Sequence, residues 1–265
     1  MLCDTIRMVK NMRALVTGAS SGIGRDMAIY LSSLGYDLIL VSRDVNKLKE
    51  TSKECSTNVD ICPLDLTYKE NCFKLFDKYK DLDIDLLVNN AGFGLYGNTW
   101  ETDIDKELKM IELNVMAVHI ITKLFLKKMV ERDSGRILNV ASIAGFLVGP
   151  TLNTYYATKN YVTSWTLGIY EELRRIHSNV HISCLCPGPV ETNFNKVAGT
   201  SFIVKGLDSS YVSKYAIDKC LKNKLIIVVG FTSKLGFYFR RLAPYKLLLR
   251  IMYFIQAKKE SHKNA

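Results

Sequence analysis

A chain of 265 residues, 48% hydrophobic and 23% charged, is long enough to bury a large core and too apolar to be disordered over most of its length. Its formal charge of +10, from 36 basic and 26 acidic residues, favours anionic partners, yet no basic run interleaves with aromatics and no zinc-finger or RNA-binding signature is present, which argues against nucleic acid. Seven cysteines without a Cys-x-x-Cys pair or a Cys/His cluster of ligand spacing point to a reducing cytoplasm, with neither a disulfide nor a metal site expected.

Residues 1–12 lack the apolar core of a signal peptide, and no stretch reaches the roughly 20 apolar residues that span a bilayer. Residues 13–17 (RALVT) form a first expected strand, which runs into Thr17-Gly18-Ala19-Ser20-Ser21-Gly22-Ile23-Gly24. Apolar residues at helical spacing follow to Leu34, and Gly35 closes that helix. A second strand over 36–41 ends at Ser42-Arg43, and Asp44 caps a helix through Lys53.

The alternation continues, with strands expected over 59–64, 84–88, 136–140, 180–186 and 225–229 and helices over 68–80, 103–131, 154–177 and 209–222. That order predicts an α/β fold, a parallel sheet of about seven strands with helices on both faces, in a single domain spanning 1–265. Ligands of such a sheet bind beyond the carboxyl ends of its strands. The polar residues fall there: the glycine loop, Arg43, Asp65, Asn89-Asn90-Ala91-Gly92, Ser142 and Pro187-Gly188-Pro189-Val190-Glu191-Thr192.

The glycines permit a tight turn that brings backbone amides and a helix N-terminus against a pyrophosphate; a plain strand-helix turn is the bland alternative. Arg43 stands 19 residues after Gly24, where a carboxylate would hold the ribose of NAD(H). With Ser42 in that place and a guanidinium beside it, NADP(H) is favoured, unless Arg43 is a solvated charge paired with Asp44. Tyr155 and Lys159 are one helical turn apart, so the ammonium can favour the phenolate and let Tyr155 exchange protons with an alcohol or carbonyl oxygen. Tyr156 lies only three residues from Lys159 and reads as packing or pocket wall. The four histidines form no triad with a serine nucleophile.

On the glycine loop, Asn90-Ala91-Gly92, Asn114, Ser142, Tyr155 with Lys159, and Pro187-Gly188, the chain resembles the short-chain dehydrogenase/reductase family over about residues 12–230. The resemblance implies a single-domain Rossmann fold and hydride transfer between a nicotinamide cofactor and a carbonyl or alcohol. It implies that Asn114 supports a water in a proton relay, Ser142 binds the substrate oxygen, and Tyr155 is the acid or base. Lys159 would lower the phenol's pKa and hold the nicotinamide ribose. The cofactor would rest on Gly18, Ser20, Ser21, Gly22, Ile23, Gly24, Arg43, Asn90, Ala91, Gly92, Pro187, Gly188 and Val190, with Thr192 on the carboxamide. Asp65 and Leu66 would meet adenine, although Asp65 serves equally as the N-cap of the next helix. Some NADP-preferring relatives carry a basic residue where this chain has Ser21, which leaves the 2′-phosphate mainly to Arg43.

Residues 193–207 are expected to form a flap, with Phe194, Val197, Phe202, Ile203 and Val204 as its apolar underside. Gly94, Leu95, Tyr96, Phe146, Leu147 and Val148 form other walls, so the substrate is expected to be a lipid-like ketone such as a 3-ketoacyl chain or steroid. A binder of NADP(H) without turnover is the alternative, against which the complete Asn114, Ser142, Tyr155 and Lys159 set argues. A homodimer or homotetramer paired through 103–131 and 154–177 is implied by resemblance. The extension 231–265 is basic and apolar, with a helix expected after Pro244. Packing on the enzyme or across a dimer is favoured for it over peripheral contact with anionic membrane.

Overall fold

The computed structural model describes residues 12–199, 206–230, 233 and 244–261. Seven strands, β1 (Arg13–Thr17), β2 (Asp37–Ser42), β3 (Val59–Pro63), β4 (Leu86–Asn89), β5 (Arg136–Val140), β6 (His181–Pro187) and β7 (Ile226–Val229), form one parallel sheet in the order β3-β2-β1-β4-β5-β6-β7. The order reverses between β1 and β4, and a ligand crevice opens at that point in sheets of this kind.

Successive residues along a strand face opposite sides, and both sides are buried here. Ala14 and Val16 join one core with Leu38, Leu40 and Val88, under the helices α1 (Gly22–Ser33) and α8 (Ser209–Leu221). Leu15, Ile39 and Leu87 enter the other, against α3 (Lys69–Tyr79), α5 (Val118–Glu131) and α6 (Asn153–Arg175). This explains why the central strands β1, β2 and β4 read as apolar runs, while β3 at the edge, with Asp60 exposed, does not.

Local signals act as expected at several ends. Gly35 adopts φ +86° just beyond α1, and Asp44 accepts from the amides of Asn46 and Lys47 at the start of α2 (Val45–Lys53). The helix expected over 103–131 is continuous but not uniform. It comprises α4 (Ile104–Ile111), a π-helical turn over Glu112–Ala117, and α5. The extra residue in a π turn re-aims the side chains it carries, and Asn114 lies within it. A short α7 (Phe194–Ala198) begins the flap, and α9 (Tyr245–Ser261) follows Pro244. Phe202, Ile203 and Val204 lie outside the described residues.

Candidate active site

The loop after β1 is held by a threonine that the motif reading did not single out. Thr17 Oγ1 accepts from the amides of Asn90 and Ala91 at 3.0 and 3.1 Å and donates to the Val88 carbonyl at 3.3 Å, joining the ends of β1 and β4. Asn90 Nδ2 then donates to the carbonyls of Thr17 and Gly18 at 3.1 and 3.3 Å. Gly18 takes φ +68° with Asn90 and Ala91 under 3 Å from where a Cβ would stand, and a Cβ on Gly24 would overlap Asn90 Nδ2 and the Gly18 carbonyl. Asn90 and Ala91 therefore buttress the loop, with Gly92 packed beside Asn114.

The first turn of α1 faces the crevice without a side-chain cap, since Ser21 sits at the N-cap position and makes no capping bond. Ser20 is tied to Ser42 at 2.8 Å, Ile23 is partly buried with its carbonyl bonded to Ser213, and Gly22 (φ +52°) lies against the Thr192 side chain. A cradle of uncapped amides, closed on one side by Thr192, fits a dinucleotide pyrophosphate. The neighbouring segment after β6 is less open. Val190 is buried in the core and bridges Leu207, while Pro187 and Gly188 carry the chain between β6 and Thr192.

At the end of β2, Arg43 does not pair with Asp44, whose carboxylate is taken by the α2 N-terminus and by Lys47. Its guanidinium stands 3.7 Å from Asp65, with the arginine side chain 74% exposed, a weak surface contact that a phosphate can displace. The N-cap reading of Asp65 is corrected as well. Tyr68 occupies that position, and Asp65 instead accepts from the amide and hydroxyl of Thr67. Leu66 is buried in the core.

Ser142, Tyr155 and Lys159 gather at the ends of β5 and α6. Ser142 Oγ accepts from the Ala144 amide at 3.1 Å and faces the Pro187 carbonyl at 3.4 Å, which fixes its rotamer. Burial pushes the Tyr155 phenol up to about 12, against a hydrogen bond with Ser142 that pulls it down. Lys159 is 5% exposed; burial lowers it to about 8, partly offset by the Cys184 and Cys186 sulfurs. The expectation that Lys159 brings the phenol toward neutrality is thus reversed in this structure. The ammonium lies 5.9 Å from the Tyr155 ring centroid and donates to the Val140 carbonyl at 2.9 Å, so it leaves desolvation dominant at the phenol.

Asn114 is fully buried, its Oδ1 accepting from the Phe93 amide at 3.0 Å and its Nδ2 donating to the Phe93 carbonyl and Thr158 Oγ1 at 2.8 and 3.1 Å. It locks the loop after β4 onto α6 beside Lys159. Thr158, which the spacing argument passed over, also bonds back to the Tyr155 carbonyl at 2.7 Å.

Phe194 packs on Tyr155 with ring centroids 5.3 Å apart and leaves no room for a side chain on Gly94. The Tyr96 amide donates to the Ala198 carbonyl at 2.9 Å, so the described part of the flap is hydrogen-bonded to the opposite wall. Tyr156 points away from this chemistry. It is buried with Ala144, Leu152 and Met252, and its hydroxyl accepts from Gln256 at 2.7 Å.

The model of the short chain dehydrogenase family matches residues 12–201. Dehydrogenase/reductase SDR family member 7 of Homo sapiens is 33% identical over 229 residues, covering 82% of this chain and 67% of the relative. Very-long-chain 3-oxoacyl-CoA reductase of Mycosarcoma maydis is 32% identical over 200 residues, 72% of this chain and 57% of the relative. The crystal structure of a short chain dehydrogenase/reductase from Burkholderia phymatum in complex with NAD superposes with TM-score 0.80 at 25% identity, covering 87% of this chain and 93% of that one.

Proposed function

Since this chain belongs to the short chain dehydrogenase family of oxidoreductases acting on alcohols and ketones, we propose that it uses NADP(H) to interconvert a secondary alcohol and an apolar, lipid-like ketone. The observation that carries this reading is the Tyr155 phenol, kept protonated by burial, set beside the Ser142 hydroxyl that the Ala144 amide holds, and roofed by Phe194. NADPH, when bound along the uncapped α1 terminus, supplies the hydride. Negative charge then grows on the carbonyl oxygen, where Ser142 donates a hydrogen bond and Tyr155 delivers its proton.

The phenol, raised by burial, is protonated at neutral pH and so can act as the proton donor in the reducing direction. Lys159 holds the nicotinamide ribose, and Asn114 positions the wall facing it. Arg43 takes the 2′-phosphate, Thr192 the carboxamide, and Asp65 with Leu66 borders the adenine. Pairing of two copies through the segments 103–131 and 154–177 is supported by the exposed Ile104, Leu108, Ile111 and Tyr161.

NADPH oxidation followed with long-chain 3-oxoacyl thioesters, ketosteroids and short soluble ketones tests the substrate class. Each buried methylene contributes about 0.8 kcal/mol, so the long substrates should exceed acetone-sized ones by at least about tenfold in kcat/KM. Equal rates across the panel would remove the lipid-like substrate, and no oxidation with any member would remove the enzyme.

The same assay reads Lys159. A lysine lowered to about 8 is charged below that pH and neutral above it, so kcat/KM for reduction should be level near neutrality and fall about tenfold per pH unit above roughly 8. Lys159→Arg, whose charge persists, should move the fall to higher pH. A profile identical in the two proteins would show that another group sets it.

A further inference from the structure

The extension after Pro244 separates two faces of one helix. Leu248, Met252 and Gln256 recur at four-residue spacing; Met252 and Gln256 are buried, Met252 packs on Ala144, Leu152 and Tyr156, and Gln256 bonds Tyr156. This stripe fixes α9 against the wall behind Tyr155, in keeping with the packing favoured from the sequence. The remaining surface stays uncovered: Leu247 50%, Ile251 43%, Phe254 68% and Ile255 49% exposed. A helix with apolar residues around most of its circumference requires a second apolar surface.

We propose that this outward face of α9 docks onto an anionic lipid bilayer surface, lying in the headgroup region with its apolar side chains toward the acyl chains. Charge argues for lipid over a second copy. Lys246 and Arg250 are exposed among the outward apolar residues, and the sequence of α9 carries four cations, Lys246, Arg250, Lys258 and Lys259, against one carboxylate, Glu260. A two-fold pairing of α9 with itself would bring four cations from each copy together against a single carboxylate from each, whereas lipid phosphates neutralise the cations as their stems reach past the apolar surface. A second observation concerns Trp100, 82% exposed. Its loop is tied to the start of α6 by Asn153 Nδ2 to Thr99 Oγ1 at 2.8 Å and by the Gly97 amide to the Thr151 carbonyl at 2.9 Å, beside the Leu152 and Tyr156 on which α9 rests. Val197, 60% exposed on the flap next to Ala198, borders the same end of the molecule. An exposed indole is a preferred anchor at a membrane interface. Among the described residues no helix is long and apolar enough to cross a membrane, and the contact proposed for α9 is a peripheral one. It deepens the proposed function by placing a lipid surface at the substrate end, but docking itself does not depend on that reading.

The test is sedimentation of the purified full chain with phosphatidylcholine vesicles, with and without phosphatidylserine, at low and high salt. Cosedimentation is expected with the serine lipid and should weaken, without vanishing, as salt rises. The Leu247→Glu/Phe254→Glu/Ile255→Glu variant should bind at least about tenfold less, and Lys246→Gln/Arg250→Gln should lose the preference for anionic lipid. Neither set touches Tyr155 or Tyr156, and retained NADPH binding shows that the variants are folded. Wild-type protein remaining in the supernatant with every vesicle overturns the proposal, as does a triple glutamate variant that sediments normally. So does a lipid-free wild-type dimer that this variant splits, which would make α9 an interface between copies. Failure of the ketone assay with vesicle binding intact would overturn the proposed activity alone.

Discussion

Tyr155→Phe is expected to lower ketone reduction by about 10²- to 10⁴-fold, the range contributed by a positioned general acid, while NADPH still binds. The substitution removes one oxygen from a ring whose packing on Phe194 remains. The cofactor cradle is built from other elements, namely the glycine loop, Thr17 and Asn90. Because burial holds the phenol at about 12, the lost group is a proton donor and not a pre-formed base. No shift to higher pH should therefore restore the variant. Tyr156→Phe is the control: it removes the partner of Gln256 on the side of α9 and should cost some stability while leaving turnover within a few fold. Fluorescence titration of NADPH together with stopped-assay rates separates binding from chemistry. Near wild-type turnover in Tyr155→Phe would displace Tyr155 from the acid role, and equal losses at 155 and 156 would mark both as packing effects.

The sheet was legible because its strands are buried on both faces, so Ala14, Leu15 and Val16 are all apolar although they serve two different cores. The loops were legible because glycines and polar residues gather beyond the carboxyl ends of the strands, whereas within them only scattered positions such as Asp60, Asn139 and Ser183 are polar. Tyr155 stood out from Tyr156 by its spacing to Lys159, and the Gln256 bond to the neighbour agrees with that choice. Other features left no local mark. A π turn at Glu112–Ala117 changes one hydrogen-bond register without changing residue type, so Asn114 could be singled out but not its orientation. Thr17 and Thr158 act through bonds to residues distant in sequence or to main-chain carbonyls, and threonine is too common to signal either role. The sign of the Tyr155 shift was missed for a similar reason. Helical spacing brings the ammonium near, but the solvation of the phenol is set by Phe194 and by walls assembled from several segments.

Arg43→Asp should weaken NADPH by about 10- to 150-fold, the loss of a charge-assisted contact of roughly 1.5–3 kcal/mol, and leave NADH unchanged or slightly tighter. The geometry around β2 makes this a test of one side chain. Ser42 is spent on Ser20, and Asp44 on the first amides of α2, so neither offers a free group to the ribose. Among the described residues Arg43 is held by a 3.7 Å approach to Asp65 at the surface and can turn to a 2′-phosphate with little to break. Ser21, exposed in the glycine loop, supplies no second cation. A carboxylate at 43 would repel the phosphate and could accept from the ribose hydroxyls of NADH, so the two affinities should move in opposite directions or one should move alone. Since salt screens both the attraction at Arg43 and the repulsion at a carboxylate in its place, the two proteins' cofactor preferences should converge as salt rises. Parallel titrations of both cofactors at two ionic strengths decide the matter: an unchanged NADPH-to-NADH ratio would assign the phosphate to other residues and remove Arg43 from the site.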